Sequence, residues 1–160
     1  MITKQFLSSC NEKIVKDAYK LYLNVYQSWG QSSPFNFDEF KNSYTRQSDF
    51  GPTFAFFKDS CFIGYGCIMG NYPQHKRLEI GYAVVENQRK KGLGTLICAE
   101  LIKFSINKFQ CKTIIADVYS GNEASVKVLV KNGFKKAGEI PNYNYSIDSP
   151  RAVMFYYLDV

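Results

Sequence analysis

The chain has 160 residues, of which 46% are hydrophobic and 16% aromatic, and its formal net charge is +6 at neutral pH. This length and apolar content predict one compact domain over residues 1–160 and exclude an intrinsically disordered chain. The five cysteines are odd in number and lack a Cys-x-x-Cys spacing, so we expect neither a disulfide framework nor a metal site. The composition is typical of a cytoplasmic protein, without a signal peptide or an apolar run long enough to span a membrane.

The positive charge is compatible with a nucleic acid, an acidic surface or a phosphorylated ligand as partner. Lysine and arginine cluster at Arg89, Lys90 and Lys91 and recur from Lys127 to Lys136, but they do not follow one uninterrupted helix face. This distribution favours a local anionic ligand over a nucleic-acid duplex, which is therefore not the expected partner.

Apolar residues at three- and four-residue steps predict four amphipathic helices, and shorter apolar runs predict six or seven strands. The helices are predicted at residues 11–29, 38–47, 93–108 and 123–131. The strands are predicted at residues 1–7, 53–58, 61–69, 77–85, 113–119, 134–139 and 152–158. A polar turn over residues 71–76 contains the only histidine, His75, which we expect to be solvated rather than catalytic.

The order of these elements predicts an α/β (α+β) fold in which helices precede an antiparallel meander and a β-α-β-α-β-β segment. Strands 77–85 and 113–119 are joined by a crossover helix, so they should be parallel neighbours. Open α/β sheets bind ligands at the carboxyl ends of such strands.

The stretch from Gln88 to Thr95, Gln-Arg-Lys-Lys-Gly-Leu-Gly-Thr, lies at this position, between a predicted strand and a predicted helix. Its two glycines allow a tight turn, and the N–H groups of the helix start are available to an anion, which the helix dipole also attracts. With the three basic residues, the stretch predicts a di- or polyphosphate ligand, although such turns also occur on ordinary surfaces. It is neither a Walker loop nor a dinucleotide fingerprint, because Ile97 replaces the third glycine.

Two motifs resemble those of the GCN5-related N-acetyltransferase (GNAT) superfamily. Arg89-Lys90-Lys91-Gly92-Leu93-Gly94 matches the family's Arg/Gln-x-x-Gly-x-Gly/Ala signature for acetyl-coenzyme A, and the residues from Asn122 to Phe134 match a second family segment. The run Leu78-Glu79-Ile80-Gly81-Tyr82-Ala83-Val84 resembles in particular the branch that contains the ribosomal-protein N-terminal acetyltransferases. The resemblance implies a mixed, mostly antiparallel central sheet of six to seven strands, flanked by about four helices, with splayed central parallel strands.

The resemblance also implies acetyl-coenzyme A (acetyl-CoA) as cosubstrate. Its pyrophosphate would rest on backbone N–H groups beside Arg89, and its pantetheine arm would lie along one strand and contact Asn122. The alternative role of Asn122 is that of a helix N-cap, which is compatible with the first. The implied pyrophosphate residues are Lys90, Lys91, Gly92, Leu93, Gly94 and Thr95, and the implied strand residues are Tyr82, Ala83 and Val84.

The implied reaction is acetyl transfer to a primary amine by direct attack in a ternary complex. An alkyl ammonium with a pKa near 10.4 must lose a proton before it attacks, so a base is required. Glu79 interrupts an apolar strand and matches a glutamate that the family often uses, so it is the candidate base; alternatively it pairs with Arg77 or another cation. Many family members have a tyrosine as acid where this chain has Leu129. Ser125 is the candidate acid, or else it only forms hydrogen bonds at a helix start.

In this family the acceptor usually binds between the early helices and the last hairpin, here residues 29–37 and 140–150. Four residues are candidates for lining this cleft: Tyr119, Tyr143, Tyr145 and Asp148. A peptide N-terminus, a polyamine or another small amine would fit it as the acceptor. Two other functions remain open, a non-catalytic basic domain that binds nucleic acid and a sensor that binds coenzyme A. Apolar strands near the carboxyl end are able to pair in a homodimer.

Overall fold

The structure, a computed structural model, describes residues 1–45, 51–72, 76–141 and 151–160, with the backbone alone at residues 71 and 72. Several predictions lie outside the described residues. They are the end of the second helix at Gln47, the solvated His75, and the cleft residues Tyr143, Tyr145 and Asp148.

The described residues contain seven strands and four α-helices in the predicted order. The strands are β1 (Ile2–Phe6), β2 (Thr53–Lys58), β3 (Cys61–Tyr72), β4 (Arg77–Val84), β5 (Thr113–Tyr119), β6 (Lys135–Ile140) and β7 (Val153–Asp159). The helices are α1 (Glu12–Ser28), α2 (Phe37–Thr45), α3 (Leu93–Phe109) and α4 (Glu123–Lys131). The predicted turn at residues 71–76 begins too early, because β3 continues to Tyr72, which pairs with Arg77 of β4.

All seven strands form one sheet in the order β1-β2-β3-β4-β5-β7-β6. The pair β4–β5 is parallel, whereas the other neighbouring pairs are antiparallel. In the described part of the chain, β4 pairs with β5 only over residues 77–79 and 113–115, while β4 stays paired with β3 as far as Val84. The predicted parallel neighbours and the splayed central strands are therefore confirmed.

Two helical layers cover the sheet because its side chains alternate between the two faces. Leu78 and Ile80 of β4 face the core beneath α3 and α4, together with Leu101 of α3. Ala83 belongs to the second core, beneath α1 and α2, so Glu79 and the intervening Gly81 face that side as well. Because side chains alternate along β4, Glu79 lies on the opposite face of the sheet from the larger core.

The close approach of α3 to the sheet depends on a glycine in β3. A Cβ atom at Gly66 would lie 2.8 Å from Cδ1 of Leu101, a side chain that is fully buried. Truncating such a core leucine typically costs about 2–5 kcal/mol in unfolding free energy. This packing holds the middle of α3 against β3.

None of the helices in the described ranges combines the length and apolar character needed to cross a membrane.

Candidate active site

The loop between β4 and α3 is shaped by two residues with left-handed backbone. Lys90 has a φ of 60°, and Gly92, which precedes the first helical residue, has a φ of 76°. A Cβ atom at Gly92 would meet nothing within 4 Å, so this position favours glycine for its backbone conformation. The turn therefore uses Lys90 and Gly92, rather than the two glycines that we expected from the sequence.

Gly94 lies inside α3 and serves a different purpose. Its missing side chain lets three elements meet, because a Cβ atom there would lie 3.3 Å from Cγ2 of Val128 and 3.7 Å from Cγ2 of Val84. The second glycine of the motif thus allows α3, α4 and β4 to approach one another closely.

The start of α3 presents backbone N–H groups at the loop. The first α-helical hydrogen bond of α3 runs from the N–H of Leu96 to the carbonyl of Gly92, over 3.3 Å. The N–H groups of Leu93, Gly94 and Thr95 come before it and have no acceptor within their own helix. Together with the helix dipole they form the geometry of an anion site.

Two of the three basic side chains brace this loop. Nε of Arg89 donates to the carbonyl of Val84 over 3.1 Å. Nζ of Lys91 donates to the carbonyl of Asn87 over 2.9 Å and to Oε1 of Gln88 over 3.2 Å. Both side chains are exposed, so they add positive charge to the loop while they hold its shape.

The edge of β4 that faces β5 is open beyond Glu79, as the short parallel pairing shows. On its other edge, Tyr82, Ala83 and Val84 are paired with β3. An extended ligand is able to add to an open strand edge through main-chain hydrogen bonds. The three residues that the family resemblance indicated for the pantetheine arm therefore lie beside the gap between β4 and β5.

Ser125 connects the start of α4 to this strand. Oδ1 of Asn122 accepts a hydrogen bond from the N–H of Ser125 over 3.2 Å, which is the N-cap geometry considered from the sequence. The hydroxyl of Ser125 lies 3.1 Å from the phenol oxygen of Tyr82. Burial raises the pKa of Tyr82 well above its ordinary value, so this phenol stays protonated. Leu129 is fully buried in the core, where it has no polar function.

Glu79 is a partly buried carboxyl on the face of the sheet beneath α1 and α2. Its pKa is raised to about 7 by burial, by repulsion from the charge of Asp117 and by a side-chain hydrogen bond to Asp117, while the charge of Arg77 opposes the shift. A carboxyl with this pKa is about half ionised at neutral pH, which suits a general base. A surface glutamate in an ion pair would have a lowered pKa, whereas burial and Asp117 raise the pKa of Glu79 more than Arg77 lowers it.

Asp117 was not identified from the sequence. A signal was present, because Asp117 interrupts the apolar strand β5 as Glu79 interrupts β4. The predicted parallel pairing of these strands, combined with their side-chain alternation, would have placed both carboxyls on one face.

Aromatic side chains connect the end of α1 to the same region of the sheet. The ring of Trp29 lies 4.8 Å from that of Tyr119 and 5.2 Å from that of Tyr26, measured between centroids. Tyr119 follows Asp117 on the same face of β5. Trp29 and Tyr119, two of the residues expected around the acceptor cleft, are therefore in contact.

Within the described ranges, no three His, Cys, Asp or Glu side chains are close enough together to hold a metal ion.

Known proteins share both the sequence pattern and the architecture of this chain. The Bacillus subtilis (strain 168) protein named uncharacterized N-acetyltransferase YoaA is 30% identical over 77 residues, which cover 48% of this chain and 44% of that protein, or less than half of its length. A ribosomal-protein-alanine N-acetyltransferase from Brucella melitensis has a similar structure, with a TM-score of 0.80 at 18% identity over 99% of both chains.

A spermidine N-acetyltransferase from Vibrio cholerae, solved in complex with CoA and spermine, superimposes with a TM-score of 0.85 at 16% identity, over 99% of this chain and 95% of that one. At these identities the two structures establish the fold alone. The family model for the acetyltransferase (GNAT) domain matches residues 10–135, which is most of the chain. The protein is therefore a member of the GNAT acetyltransferase family.

Proposed function

We propose that the protein moves an acetyl group from acetyl-CoA to a primary amine by direct attack in a ternary complex. Membership of the GNAT family supports acetyl transfer. The observation that carries the assignment is the position of Glu79, whose pKa of about 7 suits a base, on the strand that leads into the anion-accepting loop. One strand thus aligns a proton acceptor with a phosphate site.

The residues of the loop fit the pyrophosphate of acetyl-CoA. The left-handed turn at Gly92 leaves open space where a side chain would stand, and the N–H groups of Leu93, Gly94 and Thr95 face that end of the helix. Arg89, Lys90 and Lys91 add charge. Tyr82, Ala83, Val84 and Asn122 would hold the pantetheine arm beside the gap between β4 and β5. Acetyl-CoA itself supplies the activated thioester.

Glu79 accepts a proton from the acceptor ammonium, directly or through a water molecule, and so makes the amine nucleophilic. The amine nitrogen then bonds to the acetyl carbon as the carbon–sulfur bond breaks. As the amide forms, the nitrogen loses its second proton to water, and water restores the proton that Ser125 gives to the sulfur. The hydroxyl of Ser125, which lies 3.1 Å from the phenol oxygen of Tyr82, would protonate the leaving sulfur. This donor assists rather than decides the rate, because a thiol with a pKa near 8.5 also leaves as the thiolate.

The state of Cys67 favours direct attack over an acetyl-cysteine intermediate. Cys67 lies two residues before Met69, the partner of Glu79, on the same face of the sheet, and its thiol is buried. Burial is the main cause that raises the pKa of Cys67 to about 12, so little thiolate exists at neutral pH. Initial-rate lines that intersect when both substrates are varied would support a ternary complex, and parallel lines would contradict it.

The chemistry of the acceptor face favours a cationic amine. Carboxyls at Glu79 and Asp117 attract an ammonium group, and the rings of Trp29 and Tyr119 offer faces for cation–π contact. A peptide N-terminus, a polyamine or another small amine has this property. A panel of these three classes, assayed by thiol release, tests the proposal, and it fails if none is acetylated by a chain that binds acetyl-CoA.

Calorimetry with acetyl-CoA tests the cofactor site, with Gly92→Glu as the disruptive variant. We expect micromolar binding by the native chain and its loss in this variant, because the new carboxylate repels the phosphates. Asparagine tolerates the left-handed backbone of position 92 and adds no charge. The Gly92→Asn variant should therefore still bind acetyl-CoA.

Gly138→Glu supplies the matched charge control for this measurement. Gly138 lies on the edge strand β6, and a Cβ atom there also meets nothing within 4 Å. Equal loss of affinity in Gly92→Glu and Gly138→Glu would show a general charge effect and contradict the loop as phosphate site. A folded native chain that does not bind acetyl-CoA would contradict the proposed function itself.

A further inference from the structure

We propose that Asp117 is a positioning residue for the transfer reaction, which holds the carboxyl of Glu79 where β4 and β5 separate and shares a proton with it. The inference deepens the proposed function and rests on it, since Asp117 acts through Glu79. Neither the family match nor the glycine motif points to Asp117, which is identified by the register of the two strands.

The strand register brings the two carboxyls together. Glu79 of β4 lies opposite Ile115 of β5 in the parallel ladder, and this is the last pair before the strands separate. Asp117 is the next residue of β5 on the same face, because side chains alternate along a strand. It is therefore the first β5 side chain on that face beyond the paired segment.

The neighbouring position on β4 leaves room for this arrangement. Gly81 follows Glu79 on the same face, and a Cβ atom there would lie 3.0 Å from Cε of Met69 and 3.3 Å from Sγ of Cys67. No side chain from position 81 therefore stands between Glu79 and the gap. Asp117 is exposed, whereas Glu79 is partly buried, so burial disfavours the charged form of Glu79 and raises its pKa.

The charges around Glu79 make Asp117 the principal partner. Burial is the largest cause of its raised pKa, and the two further causes that raise it, charge repulsion and a side-chain hydrogen bond, both come from Asp117. Arg77 acts in the opposite direction. The described titratable groups that share this face or pack against it include the following: Arg77 on β4, Asp117 and Tyr119 on β5, Cys67 and Tyr65 on β3, Tyr157 and Asp159 on β7, Lys135 on β6, Tyr44 on α2, and Tyr22 and Tyr26 on α1.

The test replaces Asp117 by asparagine, which keeps the shape of the side chain and removes its charge. The carboxyl carbon of Glu79 is followed by carbon-13 NMR during a pH titration, with Glu79→Gln to assign its signal. We expect the titration midpoint of Glu79 in Asp117→Asn to fall by roughly one pH unit, because a like charge is gone. The acidic limb of kcat/KM for the amine should move by the same amount, since it reports the base in the free enzyme.

Two further variants separate positioning from simple structural support. Asp117→Glu retains the charge and should restore both the midpoint and the limb. Asp159→Asn removes a negative charge from the same face at the end of β7, where Asp159 pairs with Thr113, and should leave both unchanged. A merely structural role would lower the melting temperature of Asp117→Asn without moving the limb.

The outcomes are distinguishable from a failure of the proposed function. An unchanged midpoint in Asp117→Asn would overturn the inference, whatever the activity. If the midpoint of Glu79 falls but the acidic limb of kcat/KM does not move, the inference is also overturned. That result would show that Glu79 is not the base, so the proposed mechanism would be wrong. Parallel movement of midpoint and limb would support it.

Discussion

The phenol oxygen of Tyr82 lies 3.1 Å from the hydroxyl oxygen of Ser125, and this contact joins β4 to the first turn of α4. The two residues are 43 positions apart in the chain. Their contact spans the region where β4 has left β5, so it couples the strand that would carry the pantetheine arm to the serine that we propose as proton donor. Leu129, at the usual tyrosine position, is buried and apolar. A tyrosine hydroxyl therefore does contact α4, but it comes from Tyr82 on β4 and not from the helix itself.

Replacing Tyr82 by phenylalanine tests this coupling. We expect the unfolding free energy to fall by about 0.5–1.5 kcal/mol, because one hydrogen bond is lost while the ring remains packed. Ser125→Ala and the double variant complete a mutant cycle, measured by urea denaturation. If the two single effects simply add in the double variant, the hydroxyls do not interact in solution.

The removal of Glu79 should reduce the rate strongly and leave cofactor binding intact. We expect Glu79→Gln to lower kcat/KM for the amine by roughly 10²–10⁴-fold, the usual contribution of a general base. Calorimetry should give the native affinity for acetyl-CoA. The control is Glu139→Gln. Glu139 is an exposed glutamate on the edge strand β6, so this variant should have native activity. A Glu79→Gln enzyme with native kcat/KM would show that another group accepts the proton.

Glu79 should also make stability depend on pH in a defined direction. Its pKa is about 7 in the folded chain and near the ordinary 4.5 when unfolded, so the folded state binds the proton more tightly. The stabilising contribution is complete below pH 4.5 and is lost as pH rises through 7. Glu79→Gln should therefore melt at a higher temperature than the native chain at about pH 8, with the difference shrinking toward about pH 4. Melting curves across this range check the sign, and a difference independent of pH would contradict the raised pKa.

Trp29 should affect the acceptor rather than the cofactor. Trp29→Ala removes the ring contacts with Tyr119 and Tyr26 at the end of α1. Stacking of a cation on an aromatic face contributes about 0.5–2 kcal/mol, so KM for a cationic amine should rise several-fold. KM for acetyl-CoA should stay native, and Trp29→Phe should retain part of the effect. A rise in both KM values would indicate a general distortion of the chain.

Local patterns in the sequence were sufficient for the elements, because the apolar spacing of a strand or a helix is determined by its own residues. The basic glycine turn and the carboxylate of Glu79 within an apolar strand were visible for the same reason, since each lies within a few consecutive positions. The parallel pairing of β4 and β5 followed from the crossover rule. These features led to the fold and to the family.

The pairing of Glu79 with Asp117, the Tyr82–Ser125 hydrogen bond and the contact of Trp29 with Tyr119 were decided by the tertiary structure. Each depends on strand register or on the depth at which a helix packs, and both are set by burial of side chains distant in sequence. The sequence also did not show that Gly92 and Gly94 have different roles. Gly92 is needed for its left-handed backbone, whereas Gly94 is needed because α3 packs closely against Val128. The sequence by itself thus determined which chemical groups are present and in which elements. Only long-range packing decided which of those groups meet.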